Sequence, residues 1–214
     1  RHRIPTARFR TCATAEDALA VVDRGELGSP IVIKADGLAA GKGVVIAGDP
    51  GEARQTIRSI MQDRRFGAAG DQVVLEECLV GQEASYFVIA DGTRAMPLSS
   101  AQDHKRIFDD DRGPNTGGMG AFAPSPLVTP EVERRVLDTI VTPVLDGMAA
   151  EGHPYQGFLY VGLMLTTDGP KVIEFNARFG DPEAQVVLPM LDEDLSWLLA
   201  SAVTGALPDR PARF

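Results

Sequence analysis

The sequence predicts an α+β protein of two lobes, each built on an antiparallel sheet. Short apolar runs of strand length alternate with segments of helical periodicity. Two pairs of predicted strands are joined by Asp-Gly turns, at Asp91-Gly92 and Asp168-Gly169, and such turns favour hairpins, whose strands are antiparallel. With 214 residues, the chain is long enough for one large domain or for two small lobes.

The first lobe is predicted over residues 1–72. Its elements are a helix over 15–24, a strand over 31–34, a strand over 44–46 and a helix over 51–62. Thr14 is the expected N-cap of the first helix, because its hydroxyl accepts a hydrogen bond from an N–H of the first turn. The glycine-rich segment 37–43 then connects two strands as a loop.

The second lobe is predicted over residues 73–200, followed by the start of a further C-terminal domain over 201–214. Its elements are strands over 73–77, 84–90 and 94–98, a helix over 130–150, strands over 157–166 and 171–176, and a helix over 192–204. Residues 102–126 are rich in Gly, Pro and Asp and show little periodicity, which predicts a long loop. Loops of this length usually bind a ligand or are disordered.

Charge and composition argue against several classes of protein. A net charge of -9 and a pI near 4.8 disfavour non-specific nucleic-acid binding, which needs clustered Lys and Arg. No run approaches the roughly 20 apolar residues of a membrane span, and no segment has the signal-peptide pattern. Cys12 and Cys78 are far apart and are expected to be reduced. We therefore expect a cytoplasmic protein that binds neither nucleic acid nor membrane.

The first motif with chemical content is KADGLAAGKG, residues 34–43. It places Lys34 at the end of a strand and Lys42 inside a glycine-rich loop. Glycines let backbone N–H groups approach phosphate oxygens, and lysines neutralise their charge. The spacing matches neither a Walker A loop nor a dinucleotide-binding fingerprint. The motif therefore indicates phosphate binding, and the alternative is a flexible hairpin tip with two solvated lysines.

The second motif is EECL at residues 76–79, followed by Glu83. A strand that ends in an open segment leaves backbone groups free to meet the edge of an adenine ring. A carboxylate seven residues after Glu76, at Glu83, can accept hydrogen bonds from both hydroxyls of a ribose. Taken alone, this pattern is weak and is more typical of an exposed acidic turn than of a nucleotide site.

The third motif is EFNARFGDPE at residues 174–183. Glu174 and Asn176 share one face of a strand, because side chains alternate, and Phe175 is expected to pack on the opposite face. One carboxylate and one amide oxygen are hard ligands that suit Mg²⁺. Arg178 offers a guanidinium fork for a carboxylate or a phosphate. The alternative is a surface strand that carries a salt bridge.

The fourth motif joins the basic cluster DHKR at residues 103–106 to the glycine-rich segment 113–120. Backbone amides of such a loop, together with the basic side chains, can capture an anion. The alternative is a disordered linker. The apolar Met119, Ala121 and Phe122 in and after the loop favour a segment that packs onto another part of the protein.

Three segments resemble the signature segments of the phosphoribosylamine–glycine ligase family, which has the ATP-grasp fold. They read IVIKADGLAAGKGVVIA, QDHKRIFDDDRGPNTGGMGAFAPSP and VIEFNARFGDPEAQ. The resemblance extends from about residue 4 to about residue 199, in the same order and at similar spacings. The strings GPNTGGMGA and EFNARFGDPE are highly specific, whereas the lysine loop occurs in looser form in many ATP-grasp enzymes.

The resemblance implies that the two lobes clamp ATP together with Mg²⁺ or Mn²⁺. The nucleotide would be held by Lys34, Gly41, Lys42, Gly43, Glu76, Glu77, Leu79 and Glu83. The metal would be held by Glu174 and Asn176. The substrates would be bound by Gly117, Gly118, Arg178, Gly180 and Asp181, with Arg178 and Lys105 as the catalytic candidates.

The implied reaction joins glycine to 5-phosphoribosylamine through a glycyl phosphate, in purine biosynthesis, and yields glycinamide ribonucleotide, ADP and phosphate. Such a step needs the γ-phosphoryl charge neutralised and aligned, and it needs no nucleophilic side chain. Many ATP-grasp enzymes carry a further acidic metal ligand upstream of the Glu-x-Asn pair, where this chain reads Tyr160-Val161-Gly162. Complete family members also carry flanking N- and C-terminal domains, so we expect the isolated piece to be inactive or weakly active.

Two other functions stay open at this point. One is another ATP-grasp carboxylate–amine ligase, against which the GPNTGGMGA loop argues. The other is a non-catalytic nucleotide-binding module. The joint presence of Lys34, Glu174, Asn176 and Arg178 argues against it, because such residues are costly to hold near like charges unless a ligand uses them.

Overall fold

The computed structural model describes residues 2–39, 43–104, 106–109, 112–116 and 119–214. The chain forms two compact units. The smaller unit is Ala7–Leu79, and the larger combines Val80–Phe214 with the residues before Ala7. Both units contain helices and antiparallel sheets, which confirms the predicted α+β class. Within the described ranges, no helix is long and apolar enough to cross a membrane.

The smaller unit is a four-stranded antiparallel sheet that packs on two helices. Its elements are β1 (Phe9–Cys12), α1 (Ala15–Asp23), β2 (Ile31–Ala35), β3 (Val44–Ala47), α2 (Pro50–Met61), a 3₁₀ turn (Gly67–Gly70) and β4 (Val73–Glu77). The strand order is β1-β4-β2-β3. Thr14 accepts a hydrogen bond from the Asp17 amide, so the predicted cap of α1 is confirmed.

The alternation of side chains divides the faces of this sheet. Ile33 on β2 and Leu75 on β4 are fully buried in the core of the smaller unit. Lys34 and Glu76 follow them in sequence and therefore project from the other face. Near the ends of the adjacent strands β2 and β4, the side chains of Lys34 and Glu76 therefore lie on the face of the sheet opposite the core.

The larger unit is built on a five-stranded antiparallel sheet of order β11-β10-β5-β6-β9. Its strands are β5 (Gln82–Asp91), β6 (Ala95–Asp103), β7 (Arg106–Phe108), β8 (Arg112–Asn115), β9 (Ala121–Phe122), β10 (Gln156–Thr166) and β11 (Gly169–Asn176). Its helices are α3 (Pro130–Val136), a π-helical stretch (Leu137–Val141), α4 (Thr142–Ala150), α5 (Ala184–Val187), a 3₁₀ turn (Leu188–Met190) and α6 (Leu195–Thr204). Strands β7 and β8 form a separate hairpin.

Both faces of the central strands are covered. Tyr86 and Val88 of β5 pack with Val136 and Ile140 on one face, which we call the helix-covered face. Phe87 and Ile89 lie in a second cluster, with residues of α5 and α6, on the other face. Strand β5 is therefore a continuous buried run rather than an alternating one.

The two compact units divide the chain at residues that differ from the predicted lobe boundaries. The division falls after Leu79 rather than at residue 72, because β4 pairs with β1 and β2 and so completes the smaller sheet. Residues 201–214 lie in the larger unit: Leu207 is buried, and the Ala212 amide donates a hydrogen bond to the Pro97 carbonyl.

Two predicted elements are also wrong in part. Residues 102–126 are not one loop, because β6 runs to Asp103 and three short strands follow it. Their Gly, Pro and charged residues hide the alternation that would reveal strands. The predicted helix over 130–150 contains a π-helical stretch directly before the turn that holds Pro143. Proline has no N–H for the regular helical hydrogen bond, so the ladder shifts there.

The C-terminal segment is fastened to the larger unit by Glu193. Arg210 donates to both carboxylate oxygens, at 2.6 and 2.8 Å, and the Arg213 amide donates at 2.7 Å. The Arg210 guanidinium, helped by the Arg213 amide, lowers the pKa of Glu193 to about 2. The carboxylate therefore stays ionised in the folded protein at pH values where it is protonated in the unfolded chain.

We expect Glu193→Gln to destabilise the chain by about 1–2 kcal/mol at pH 7, the size of a charge-assisted hydrogen-bond set at a partly solvated site. Because the folded pKa is depressed, this contribution is present above the ordinary pKa of 4.5 and is lost as the pH falls towards about 2. Urea unfolding of parent and variant across that range should show the two curves converging. Asp209→Asn, at an exposed carboxylate beside Arg210, is the control, and an equal loss in it would contradict the role of Glu193.

Candidate functional site

The larger unit carries a row of polar residues on one face of its sheet. Glu174 of β11 lies opposite Gly162 of β10, and Gly162 lies opposite Ser85 of β5. Asn176 lies opposite Tyr160 in the same way. Residues two apart on a strand share a face, so this register confirms that Glu174 and Asn176 project from one face, together with Ser85 and Tyr160.

A β-bulge sets the orientation of Glu174. Leu163 pairs with Val172 but Gly162 pairs with Glu174, so Ile173 is an extra residue on β11. Without the bulge, Ile173 would lie opposite Gly162 and Glu174 would turn to the helix-covered face. A Cβ at residue 162 would lie 3.0 Å from Glu174 Cγ, so the glycine leaves the space that the Glu174 side chain crosses.

Strands β6, β10 and β11 and the segment after β11 line a small, partly open cavity of about 100 Å³. It is lined by four predicted site residues, Glu174, Asn176, Arg178 and Asp181, and by three to which the sequence assigns no site role, Asp103, Tyr160 and Glu183. Glu183 ends the EFNARFGDPE string and Asp103 opens the basic cluster, so both lie inside recognisable motifs. Tyr160 lies in an ordinary apolar strand that carries no such signal.

The charge of this cavity favours a ligand with a cationic part. Among the lining residues that the structure describes, the four carboxylates of Asp103, Glu174, Asp181 and Glu183 face one guanidinium, that of Arg178. A volume of about 100 Å³ holds roughly three water molecules, so the group that enters it is small. A metal ion or an ammonium group satisfies both conditions.

Buried hydrogen bonds support the floor of the cavity. Ser85 Oγ lies 2.9 Å from Glu183 Oε1 and 3.0 Å from the Tyr160 hydroxyl. Ser85 and Glu183 are each only 2% exposed. The Ser85 hydroxyl donates its proton to Glu183 Oε1.

Aromatic packing holds the loop that carries Arg178. Phe179 stacks on Phe87 with ring centroids 4.7 Å apart, and it meets Phe158 edge-on at 4.9 Å. Arg178 Nη1 donates to the Phe179 carbonyl at 2.8 Å. Phe175 differs from the prediction, because it lies on the opposite face but remains 39% exposed near the end of β11.

In the smaller unit, the predicted nucleotide residues form two ion pairs. Lys34 Nζ lies 2.8 Å from Glu76 Oε2, and both side chains are about four-fifths buried, with exposed fractions of 21% and 19%. Glu77 accepts from Arg8 Nε at 2.6 Å and from the Arg8 amide at 3.0 Å. The carboxylates of this acidic pair are therefore engaged by cations of their own unit.

The glycine loop is described only at its ends. The Gly43 carbonyl accepts a hydrogen bond from the Ala35 amide at 2.8 Å, which closes the base of the loop. A Cβ at Gly43 would lie 2.7 Å from Ala39 Cβ, so the close approach requires glycine. The remaining predicted residues of the glycine-rich segments and of the basic cluster lie outside the described residues: Gly41, Lys42, Lys105, Gly117 and Gly118.

Leu79 and Glu83 lie on different units. Leu79 is half-buried at the end of the smaller unit, and Glu83 lies on β5 opposite Met164. Glu83 is two residues from Ser85, so it projects from the cavity face of the sheet. Gly180, the other predicted substrate residue, is buried, and a Cβ there would collide with Glu183 Oε2.

The donor set of the cavity fits Mg²⁺ held partly by non-protein ligands. Glu174 is exposed to the cavity and contributes a carboxylate, and Asn176 contributes an amide oxygen from the same face. Among the residues that the structure describes, no cluster of three or more His, Cys, Asp or Glu is arranged to hold a metal by itself. Mg²⁺ commonly takes one or two protein ligands and completes its shell with phosphates and water.

A second cavity, of about 410 Å³, lies elsewhere on the larger unit. It is an open groove between the turn at Thr93–Pro97, the region of the π-helical stretch and the C-terminal segment near Arg210. None of the predicted site residues lines it. Although it is larger, the cavity at Glu174 is the better candidate because it collects the hard oxygen ligands and the guanidinium.

Comparison with known proteins gives one consistent result. Residues 1–184 match the family model described as phosphoribosylglycinamide synthetase, ATP-grasp (A) domain. The chain is 53% identical to phosphoribosylamine–glycine ligase of Pseudomonas aeruginosa over 97% of its own length, and 50% identical to that of Escherichia coli over 100%. It superposes on the crystal structure of phosphoribosylamine–glycine ligase from Thermotoga maritima with a TM-score of 0.88 at 34% identity, over 99% of this chain and 54% of that one.

The chain spans about half the length of the curated relatives that it matches, 48% for Pseudomonas aeruginosa and 50% for Escherichia coli. The superposition confirms the ATP-grasp fold that the sequence motifs imply.

Proposed function

The chain belongs to the phosphoribosylglycinamide synthetase ATP-grasp (A) domain family, and from this premise we propose that it is the nucleotide- and metal-binding part of a phosphoribosylamine–glycine ligase. The proposed reaction joins glycine to 5-phosphoribosylamine with conversion of ATP to ADP and phosphate. We also propose that flanking domains complete the substrate site. The support for this second part is that the relatives are about twice as long as this chain.

The observation that carries the proposal is the joint position of Glu174, Asn176, Arg178 and Asp181 around one small anionic cavity. These residues combine the hard oxygen ligands that suit Mg²⁺ with the guanidinium fork that suits a carboxylate or phosphate. A surface strand with a salt bridge would need neither this cavity nor a glycine at residue 162.

Each residue of the site has a defined task in this proposal. Glu174 and Asn176 hold Mg²⁺, which when bound neutralises phosphate charge and lowers the barrier for phosphoryl transfer. Arg178 orients an anionic group of the substrate, and Asp181 orients an amine or hydroxyl. In the smaller unit, Lys34 contacts phosphate oxygens, and Glu76, Glu77 and Leu79 line the adenine. Glu83, on β5 of the larger unit, accepts hydrogen bonds from the ribose hydroxyls. Binding and alignment carry the reaction, because the attacking group is the amine of the second substrate.

Mg-ATP should raise the melting temperature of this chain if the proposal is correct. Ligand at a hundred times its dissociation constant stabilises the folded state by about 2.7 kcal/mol. For a chain of this size that corresponds to a rise of roughly 5–10 °C. The measurement is differential scanning fluorimetry with Mg-ATP, with Mg²⁺ alone and ATP with EDTA as controls.

No rise at millimolar Mg-ATP, in this chain and in a longer chain that includes the flanking domains, would overturn the proposal. A rise in the longer chain alone would show that the flanking domains build the nucleotide site. The ligation activity is tested in parallel on both chains, and we expect it only in the longer one.

A further inference from the structure

Glu183 is a buried carboxylate at the cavity, and neither the motifs nor the proposed ligand roles assign it a task. It is 2% exposed, although acidic side chains are rarely buried without a partner. One of its oxygens accepts the Ser85 hydroxyl at 2.9 Å, and the other lies over Gly180, where a Cβ would collide with it. The carboxylate therefore has a hydrogen-bond donor on one side and is packed closely over the glycine on the other.

The segment 176–183 alternates between residues that are exposed at the cavity and residues that anchor the chain. Arg178 and Asp181 line the cavity and are exposed. Gly180 and Glu183 are buried, and Phe179 packs between two aromatic rings. The positions of the two exposed side chains are therefore set by the anchors on either side of them.

We propose that Glu183 is a positioning residue, which acts through Ser85 and Gly180 to hold Arg178 and Asp181 beside the metal-binding pair. This inference rests on the proposed function for the ligand roles of Arg178 and Asp181. The claim that Glu183 makes segment 176–183 rigid can be tested independently of those roles. The Ser85–Glu183 hydrogen bond joins the loop after β11 to β5, two strands away in the sheet. Without it, the segment keeps the aromatic packing of Phe179 and the hydrogen bond from the Ala184 amide to the Gly180 carbonyl, but it loses its side-chain link to β5. Its two charged side chains then lose their fixed place.

The role requires shape and hydrogen-bonding capacity rather than negative charge. Glutamine has the size of glutamate, and its amide oxygen accepts the Ser85 proton equally well. Glu183→Gln should therefore keep the segment in place, whereas Glu183→Ala and Ser85→Ala should release it. Rescue by the conservative change separates positioning from a direct charge contact with a ligand.

The test is the rate at which trypsin cleaves the Arg178–Phe179 bond in the folded chain, followed by mass spectrometry. Cleavage at an anchored site tracks the population of the locally opened form. We expect cleavage about tenfold faster in Glu183→Ala and in Ser85→Ala, equivalent to about 1.4 kcal/mol. Glu183→Gln should remain within about twofold of the parent chain.

Ser100→Ala is the matched control. Ser100 is a buried serine on the adjacent strand β6, and its hydroxyl accepts one hydrogen bond, from the Ser125 amide at 3.1 Å. It lies opposite Tyr86, on the helix-covered face, and so away from the cavity. Cleavage at Arg178 should be unchanged in this variant.

Equal acceleration in Glu183→Gln and Glu183→Ala would overturn the inference, because charge and not shape would then hold the segment. Equal rates in Ser85→Ala and Ser100→Ala would overturn it as well. Mg-ATP binding is measured separately on the same variants. Failure of both the parent chain and the longer chain to bind Mg-ATP contradicts the proposed function, while the order of the cleavage rates still decides the positioning role.

Discussion

Replacing Glu174 by alanine is expected to weaken Mg-ATP binding by at least a factor of about 100. The carboxylate is the only charged member of the proposed metal-binding pair, and loss of a metal-coordinating carboxylate removes an interaction that neither Asn176 nor water replaces. A hundredfold change corresponds to about 2.8 kcal/mol. Isothermal titration calorimetry with Mg-ATP measures it directly.

Two further variants make this result specific. Glu174→Gln keeps an oxygen ligand but removes the charge, so its affinity should lie between those of the parent and of Glu174→Ala. Glu131→Ala removes an exposed carboxylate at the start of α3 and should leave the affinity unchanged. Unchanged affinity in Glu174→Ala, with the fold intact by circular dichroism, would remove Glu174 from the metal site.

Phe87→Ala is expected to produce the largest loss of stability, about 3–5 kcal/mol, as found when a buried aromatic side chain is truncated. The Phe87 ring is 1% exposed, stacks on Phe179 and meets Tyr160 edge-on at 5.4 Å. The cavity left behind lies directly under the site. A loss of this size is a large part of the 5–15 kcal/mol typical of a folded domain.

The measurement is urea unfolding monitored by circular dichroism, combined with Mg-ATP titration. The variant removes the ring on which Phe179 stacks, and Phe179 follows Arg178 directly in the chain. We therefore expect the loop that carries the Arg178 guanidinium to become more mobile as well. Phe108→Ala is the control: it is the same truncation at a ring that is 64% exposed, and it should cost less than about 1 kcal/mol. If both variants lost a similar amount of unfolding free energy, the stacking of Phe179 on Phe87 would make no specific contribution to stability.

Much of the fold follows from local signals in the sequence. The cap at Thr14, the hairpin turns at Gly92 and Gly169 and the continuous apolar run of β5 each depend on a few neighbouring residues. Propensity and periodicity act over that same short range, so the corresponding elements are found where the sequence predicts them.

The candidate site was accessible to sequence reasoning only in part. Glu174 and Asn176 are adjacent positions on one face of β11, so alternation alone relates them. No local sequence pattern identifies Ser85 and Tyr160 as site residues, because they come together only when β5 pairs with β10. The bulge at Ile173 is likewise a property of two strands together, and a single strand pattern cannot reveal it.

The Ser85 hydrogen bonds also bear on the order in which the chain folds. They join residues 75 and 98 positions apart, to Tyr160 and Glu183 respectively. Closing such long loops costs conformational entropy, and this cost is not offset by favourable contacts until β5 and β10 are paired in register. The helical region 130–150 lies between these strands in the sequence, and its backbone hydrogen bonds join residues close to one another in the chain. We therefore expect it to gain structure early, and the cavity to be among the last features to form during folding.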